Sequence, residues 1–210
     1  VKAGQLLPAG FHGVSENMKP DPYDTKMAKK LMAEAGYPDG FKMTIHGPND
    51  RYINDAKIAE ALAQMLNRVG IDASVETMPK AVYFKRASRG GPNKSPEFSF
   101  MLLGWGAGSG EASSPLKALL HTYDKSKGMG AANRGRHTDA KVDALVQKAL
   151  ATVDADARGK LLAEATEKAV GENYGVIPMH YQVNTWAAKK GYSYLPRTDE
   201  RTIVTGLSKN

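Results

Sequence analysis

Apolar residues recur at helical or strand spacing over most of the chain, and Gly and Pro punctuate the changes of period. Residues 1–22 show no sustained period; with Gly4, Pro8, Gly10, Gly13, Pro20 and Pro22 they read as a loop-like lead-in. From Asp24, a plausible N-cap, the positions Met27, Leu31 and Ala35 repeat every four residues, and Gly36 stands where a glycine ends a helix. After the turn Tyr37-Pro38-Asp39-Gly40, the alternation Phe41, Met43, Ile45 reads as a strand. A second helix is expected from about Asn54, with the stripe Ile58, Leu62, Met65, Leu66, Val69 closed by Gly70. Ile71, Ala73, Val75 and Thr77 alternate again as a strand; 80–89 reads as a short amphipathic helix and 98–103 as a buried strand. Two helices follow at 138–153 and 155–172, carrying Val142/Leu145/Val146/Leu150 and Leu161/Leu162/Ala165/Ala169, before an extended stretch at 176–186.

Strand and helix alternate, so the expected class is α/β: a mixed sheet with parallel pairs and flanking helices. Ligands of open α/β sheets sit beyond the carboxyl ends of strands. The loops 46–53, 104–115 and 178–186 are therefore the places to look for a site.

The 210 residues allow one large domain, or one domain with an appended segment, and 41% hydrophobic residues suffice for a core. Cysteine is absent, which excludes disulfides, thiolate metal sites and a Cys nucleophile. The net charge of +7 raises nucleic acid or an anionic membrane surface as a partner. The charges, however, lie singly among acids, as in Lys26, Lys29 and Lys30 before Glu34, and the basic stretch 125–136 is not laced with aromatics for base stacking. A solvated basic face is the simpler reading, and no nucleic-acid partner is expected. No run approaches the ~20 apolar residues of a membrane span. The opening Val1-Lys2-Ala3-Gly4 has neither initiator Met nor apolar leader and reads as a mature terminus, a cloning boundary or a proteolytic cut.

The most unusual segment is Gly104-Trp105-Gly106-Ala107-Gly108-Ser109-Gly110-Glu111, with four glycines in seven residues between a strand and a helix. Ser113 or Ser114 is the expected cap of that helix, with Pro115 in its first turn. The spacing gives neither G-x-G-x-x-G nor G-K-[ST], so a phosphate loop is excluded. Trp105 reads either as an aromatic wall of a pocket or as core. Ser114-x-x-Lys117 matches the S-x-x-K of acyl transferases, but K-T-G is absent and Pro115 interrupts the motif. An acyl hydrolase using Ser114 and Lys117 is thus the enzymatic rival, and a basic nucleic-acid-binding domain the other alternative. The five histidines show no metal-ligand spacing, so no metal or other cofactor is expected. His46 and His180 fall in the flagged loops, where an imidazole is either a ligand contact or a satisfied structural group. Arg51 lies between a strand end and a helix start. It can clamp a carboxylate bidentately or pair with Asp50, Asp55 or another surface acid.

Tyr23-Asp24, Ala28-Lys29, Leu31 and Glu34-Ala35-Gly36-Tyr37-Pro38-Asp39-Gly40-Phe41 resemble the "yD…AK.LL.EAGYP.GF" signature of the peptide/nickel-type (family 5) solute-binding proteins of bacterial ABC importers. Gly47-Pro48-Asn49-Asp50-Arg51, Gly70-Ile71, Gly104-Trp105 and Ile177-Pro178-Met179-His180 agree in order and spacing. The resemblance implies a type II periplasmic-binding-protein lobe, the C-terminal one of a two-lobe receptor. On that basis residues 1–15 are an incoming crossover, 16–180 the ligand-binding lobe and 181–210 a return segment toward a missing N-terminal lobe. It implies a periplasmic or outer-surface location, an oligopeptide or related solute as ligand, an ABC permease as partner, and no catalysis. Arg51 then lies near where dipeptide binders present an arginine to the ligand's carboxylate. Gly108 lies where they place an aspartate for the ligand's amino group, and Glu111 is a possible substitute. The ligand-binding set is Arg51, Trp105, Gly106, Gly108, Glu111, Asn133, Arg134, Tyr181 and Gln182.

Overall fold

The computed structural model describes every residue except 198 and 200. The chain divides into two compact units. One comprises Asp21–Trp105 with Tyr123–His137, the other Val1–Pro20, Gly106–Thr122 and Thr138–Asn210.

The first unit begins with α1 (Thr25–Glu34). The Asp24 carboxylate accepts from the Lys26 and Met27 N–H groups, both at 2.9 Å, satisfying two of the four donors a helix start leaves unpaired. At the other end Gly36, at φ +87°, donates to Ala33 while Tyr37 donates to Met32, a Schellman closure. The expected stripe stays outside: Met27 and Leu31 are 48% and 54% exposed. Met32, one position round the helix, is the residue packed on the core.

β1 (Lys42–Pro48), α2 (Asp55–Asn67) and β2 (Asp72–Met78) form a β-α-β unit, with the strands parallel in register from Lys42↔Asp72 to Pro48↔Met78. Ile45, Ala59, Ala63, Ile71 and Ala73 make its core, with Leu62, Leu66 and Phe100 partly buried around them. The inner face of α2 is therefore turned toward its alanines, and Met65 is left 45% exposed. Small side chains let the helix approach the pleated strands closely, and the larger ones flank that contact. α3 (Lys80–Arg89) adds Tyr83 and Ala87 to a second cluster with Met78 and Phe98.

The strand expected at 98–103 is reduced to one parallel bridge, His46↔Met101. It is not buried throughout as expected: Phe98 and Leu102 are buried, while Ser99 is exposed. The ladder consists of two hydrogen bonds around His46, from the His46 N–H to Phe100 (3.0 Å) and from the Leu102 N–H to His46 (2.8 Å).

In the second unit, α4 (Ser113–Pro115) passes into a π turn at Leu116–Leu120, and α5 (Ala140–Ala151) packs on α6 (Ala155–Thr166), which ends in a π turn at Glu167–Glu172. Asp139 and Asp154 cap α5 and α6 through their carboxylates. Leu116, Leu120, Val142, Val146, Ala149, Leu162, Ala165 and Ala169 are buried; Leu150, expected inside, is 44% exposed because Ala149 takes the inward position. Neither expected serine caps α4. Its N-cap is Ala112, and the Ser113 hydroxyl turns back to Glu111. The expected extended stretch 176–186 pairs, among the described residues, through the bridge Lys2↔His180, where Ala3 donates to Met179 (3.2 Å) and Tyr181 donates to Val1 (2.7 Å). An antiparallel pair, β3 (Tyr192–Tyr194) with β4 (Leu207–Lys209), follows it.

Candidate functional site

The four glycines of the 104–110 loop are glycines for different reasons. A Cβ at Gly104 would lie 2.6 Å from the Tyr52 ring, so that position is held open for Tyr52, whose hydroxyl donates to the Gly104 carbonyl at 3.2 Å. Gly110 has φ +76° and closes a turn on Ala107 at 3.0 Å, a conformation that favours glycine. Gly106 and Gly108 meet neither demand: their φ is not left-handed, and an added Cβ would touch nothing within 4 Å. The missing side chains leave free space, as a surface approached closely by a ligand requires. Beside Gly108 and Gly110 lies a cavity of about 420 Å³, bordered also by Phe11, Arg197 and Asp199.

Glu111 anchors the far end of this loop. Its carboxylate accepts from the Ser113 hydroxyl and from Arg158 Nε (3.1 Å), while Arg158 Nη1 reaches the Thr152 and Val153 carbonyls at 3.2 and 3.0 Å. The Ser113 hydrogen bond and then Arg158 hold the Glu111 carboxyl below the usual carboxylate range, against the opposing effect of burial. His12 pairs with the loop backbone on both sides, donating to Gly110 (3.0 Å) and accepting from Ala112 (2.9 Å). Tyr181 and Gln182 belong to this same unit. The Tyr181 hydroxyl lies 2.8 Å from the Leu7 carbonyl and 3.1 Å from that of Gln5, and burial raises its pKa. Gln182 is exposed and donates to Asn184 at 2.7 Å.

Arg51, Trp105, Asn133 and Arg134 belong to the other unit. Its sheet ends where β1 gives way to the loop 49–54. There Asp55, only 3% exposed, accepts from the backbone N–H groups of Arg51 (2.9 Å), Tyr52 (3.0 Å) and Ala56 (2.9 Å). Burial pushes its pKa up, but the backbone donors outweigh that and hold it below the ordinary value. Asp55 thereby replaces Asn54, a left-handed N-cap residue at φ 58° whose side chain bonds nothing at the helix start. Asp55 is so engaged and Asp50 accepts from the Lys80 N–H (2.6 Å), and among the described residues neither is paired with the Arg51 guanidinium. The Arg51 guanidinium is exposed and lies over the Tyr52 ring, 4.9 Å from its centroid. Trp105 is 41% exposed, so it is not a core residue.

Asn133 is buried and braces its own loop: its Nδ2 donates to the His137 carbonyl (2.7 Å) and its Oδ1 accepts from the His137 N–H (2.9 Å). Arg134 is half-buried, with Nε donating to Ser88 Oγ (3.1 Å) and its guanidinium 5.3 Å from the Phe84 centroid. His46 is on the strand, not in the following loop; its ring stacks on Phe98 at 4.0 Å, and Nε2 faces Glu76 at 3.4 Å. His180 is exposed and bridges to Lys2, which is exposed as well. Tyr52, Phe84 and Ser88 were not among the expected site residues. Tyr52 at least lies in a flagged loop; the other two sit on α3, where nothing in the helical pattern marks them.

Among the described residues no cluster of His, Asp and Glu has the makings of a metal site. Ser114 and Lys117 share no hydrogen bond there either.

Comparison with known proteins bears on the family and the fold. The model of "Bacterial extracellular solute-binding proteins, family 5 Middle" matches residues 1–127. Heme-binding protein A of Haemophilus influenzae is 29% identical over 171 residues, 79% of this chain and 29% of its own length. Di/tripeptide-binding protein 1 of Pseudomonas aeruginosa is 32% identical over 170 residues, 78% of this chain and 30% of its own. The chain thus spans about three tenths of the length of these curated relatives. Among solved structures, HbpA2 from Haemophilus parasuis superposes with a TM-score of 0.83 at 25% identity, covering 100% of this chain and 40% of that one. The periplasmic binding protein DppA from Helicobacter pylori, in complex with peptide STSA, gives 0.73 at 28% identity, covering 85% and 33%.

Proposed function

The chain belongs to the bacterial extracellular solute-binding proteins of family 5, and on that premise we propose that it supplies ligand-binding surface to the solute receptor of an ABC importer. The receptor takes up an oligopeptide or related small organic solute outside the cytoplasmic membrane, in the periplasm or on the outer face. Closure of two lobes about a hinge then presents the loaded form to a membrane permease. This chain contributes most of one lobe, over 16–180, with 1–15 and 181–210 as the crossings toward the other.

The observation that carries the reading is the pair Gly106 and Gly108, which backbone conformation and packing leave unexplained and the close approach of a solute explains. Trp105 supplies an aromatic wall, and Arg51, with no carboxylate partner among the described residues, supplies positive charge. Glu111 is already held by Ser113 and Arg158, so its role is to fix the loop's shape. The Asn133 side chain does the same for its own loop, while Tyr181 and Gln182 stand beside the outgoing crossing.

Native mass spectrometry of the receptor, purified without denaturation from the cells that make it, tests this. A small organic solute is the expected passenger; a nucleotide or a covalent acyl adduct would sink the reading. Substituting Ser114→Ala gives the complementary result, since solute binding survives it here, whereas an acyl hydrolase would lose turnover.

A further inference from the structure

Arg134 is the cation whose surroundings least resemble those of a structural arginine. Its Nε has Ser88, its flat face has Phe84, and Tyr83 and Tyr52 are the neighbours that act on it electrostatically. Among the described residues its two Nη groups meet no acceptor, and no carboxylate lies within ion-pair distance. Arg86, on α3 as well, shows the contrast: it binds Glu97 through Nε (3.0 Å) and Glu76 through Nη1 (2.6 Å). Burial also pulls the Arg134 pKa down, while the neighbouring Tyr83 and then Tyr52 offset part of that. A charge taken from water without a counter-charge is costly. Folding alone gives no reason to keep one, because a methionine would fill the same volume without the charge.

The position suits a ligand. Tyr83 and Tyr52 donate to the carbonyls of Leu102 (2.6 Å) and Gly104 (3.2 Å), so both hydroxyls mark the segment leading into the glycine loop. Arg51 lies on the Tyr52 ring. Tyr52 is thus a neighbour of two guanidiniums without carboxylate partners among the described residues, Arg51 on its ring and Arg134 through its electrostatic influence.

We propose that Arg134, set between Phe84, Ser88 and Tyr52, is an anion-reading residue that takes an oxyanion of the solute, carboxylate or phosphate, through its free Nη edge. The site acts in addition to Arg51. The inference rests on the solute-binding reading, but its test does not share that reading's fate.

The test is thermal unfolding of the 210-residue chain with succinate, inorganic phosphate, or chloride at matched ionic strength. Succinate, phosphate or both should raise the midpoint by about 3 °C or more near saturation, beyond the chloride control. Which of the two acts identifies the headgroup. Arg134→Met should abolish the shift, and Arg134→Lys, which keeps the charge but loses the planar fork, should reduce it. No shift beyond chloride, or an equal shift in wild type and Arg134→Met, overturns the proposal. If the methionine variant does not fold, an undiminished shift in the lysine variant does so. A co-purified solute with no anion response would sink this inference alone; an anion response with a nucleotide passenger would sink only the receptor reading.

Discussion

At Asp55 a single buried carboxylate organises the loop that carries Arg51 and Tyr52. Three neighbouring backbone N–H groups, two before it in the chain and one after, converge on its oxygens. Its folded pKa lies below the unfolded value of 3.8, so the ionised form is favoured by the fold. The stabilisation is whole above that unfolded value and is lost as pH falls through the folded one. Asp55→Asn should therefore cost about 1 kcal/mol at pH 7, and the wild-type and variant stabilities should converge at an acid pH below the folded value. Urea unfolding at both pH values would show it, and a constant gap would mean that the charge is irrelevant. Gly108 gives the opposite kind of residue, one with no structural duty. Gly108→Ala should leave the melting midpoint unchanged or slightly raised, while weakening the solute that native mass spectrometry identifies. Gly108→Asp should bring measurable affinity for peptides with a free amino terminus. A large loss of stability in the alanine variant would show that the glycine serves the fold.

Among the elements, those with a strong period were legible and those built by a single distant partner were not. α1, β1, α2, β2, α3, α5 and α6 all stand where the pattern places them. The stripes of α2 and α5 lie on the core side, with Leu62, Leu66 and Val69 packed on the core and Val142 and Val146 buried, but Met65 and Leu150 fall outside it, and Ala59, Ala63 and Ala149, which are buried, do not stand out from a stripe of larger side chains. The π turns at Leu116–Leu120 and Glu167–Glu172 leave no periodic trace, and β3 and β4, at three residues each, are too short for one. Turn glycines separate in the same physical way. Gly36 and Gly40 both have positive φ, at +87° and +76°, but a Cβ on Gly36 meets open space, whereas one on Gly40 would lie 1.7 Å from the Gly70 carbonyl oxygen. That contact sits just before the first paired residues, Lys42 and Asp72, and helps set the register. Gly36→Ala should cost about 1 kcal/mol, the left-handed penalty alone. Gly40→Ala should cost at least about twice that, because backbone must also move. Comparable losses in chemical denaturation would remove the role given to the Gly40–Gly70 contact.

Across the whole molecule, candidate residues could be picked out where neighbours in sequence share a loop, as with Arg51 and the glycines of 104–110. It was hidden where partners are remote: Arg134 and Ser88 lie 46 positions apart, and no spacing rule links them. Net charge is the remaining property of that scale. The chain carries +7, yet many of its cations are spoken for by acids, in pairs such as Arg86 with Glu76 and Glu97, Arg158 with Glu111, and Lys168 with Glu172. Exposed pairs of this kind add little stability, but each takes a cation out of any continuous stripe. A duplex needs a row of cations that neutralise successive phosphates and release their counterions together. Patches give only non-specific attraction, screened within about 8 Å at physiological salt. The chain should therefore show no discrete complex with duplex DNA in a gel shift at ~0.15 M salt, and any retardation at ~0.02 M should be indifferent to sequence. A sequence-dependent band that survives the higher salt would put the basic face, rather than the glycine loop, at the centre of the protein's function.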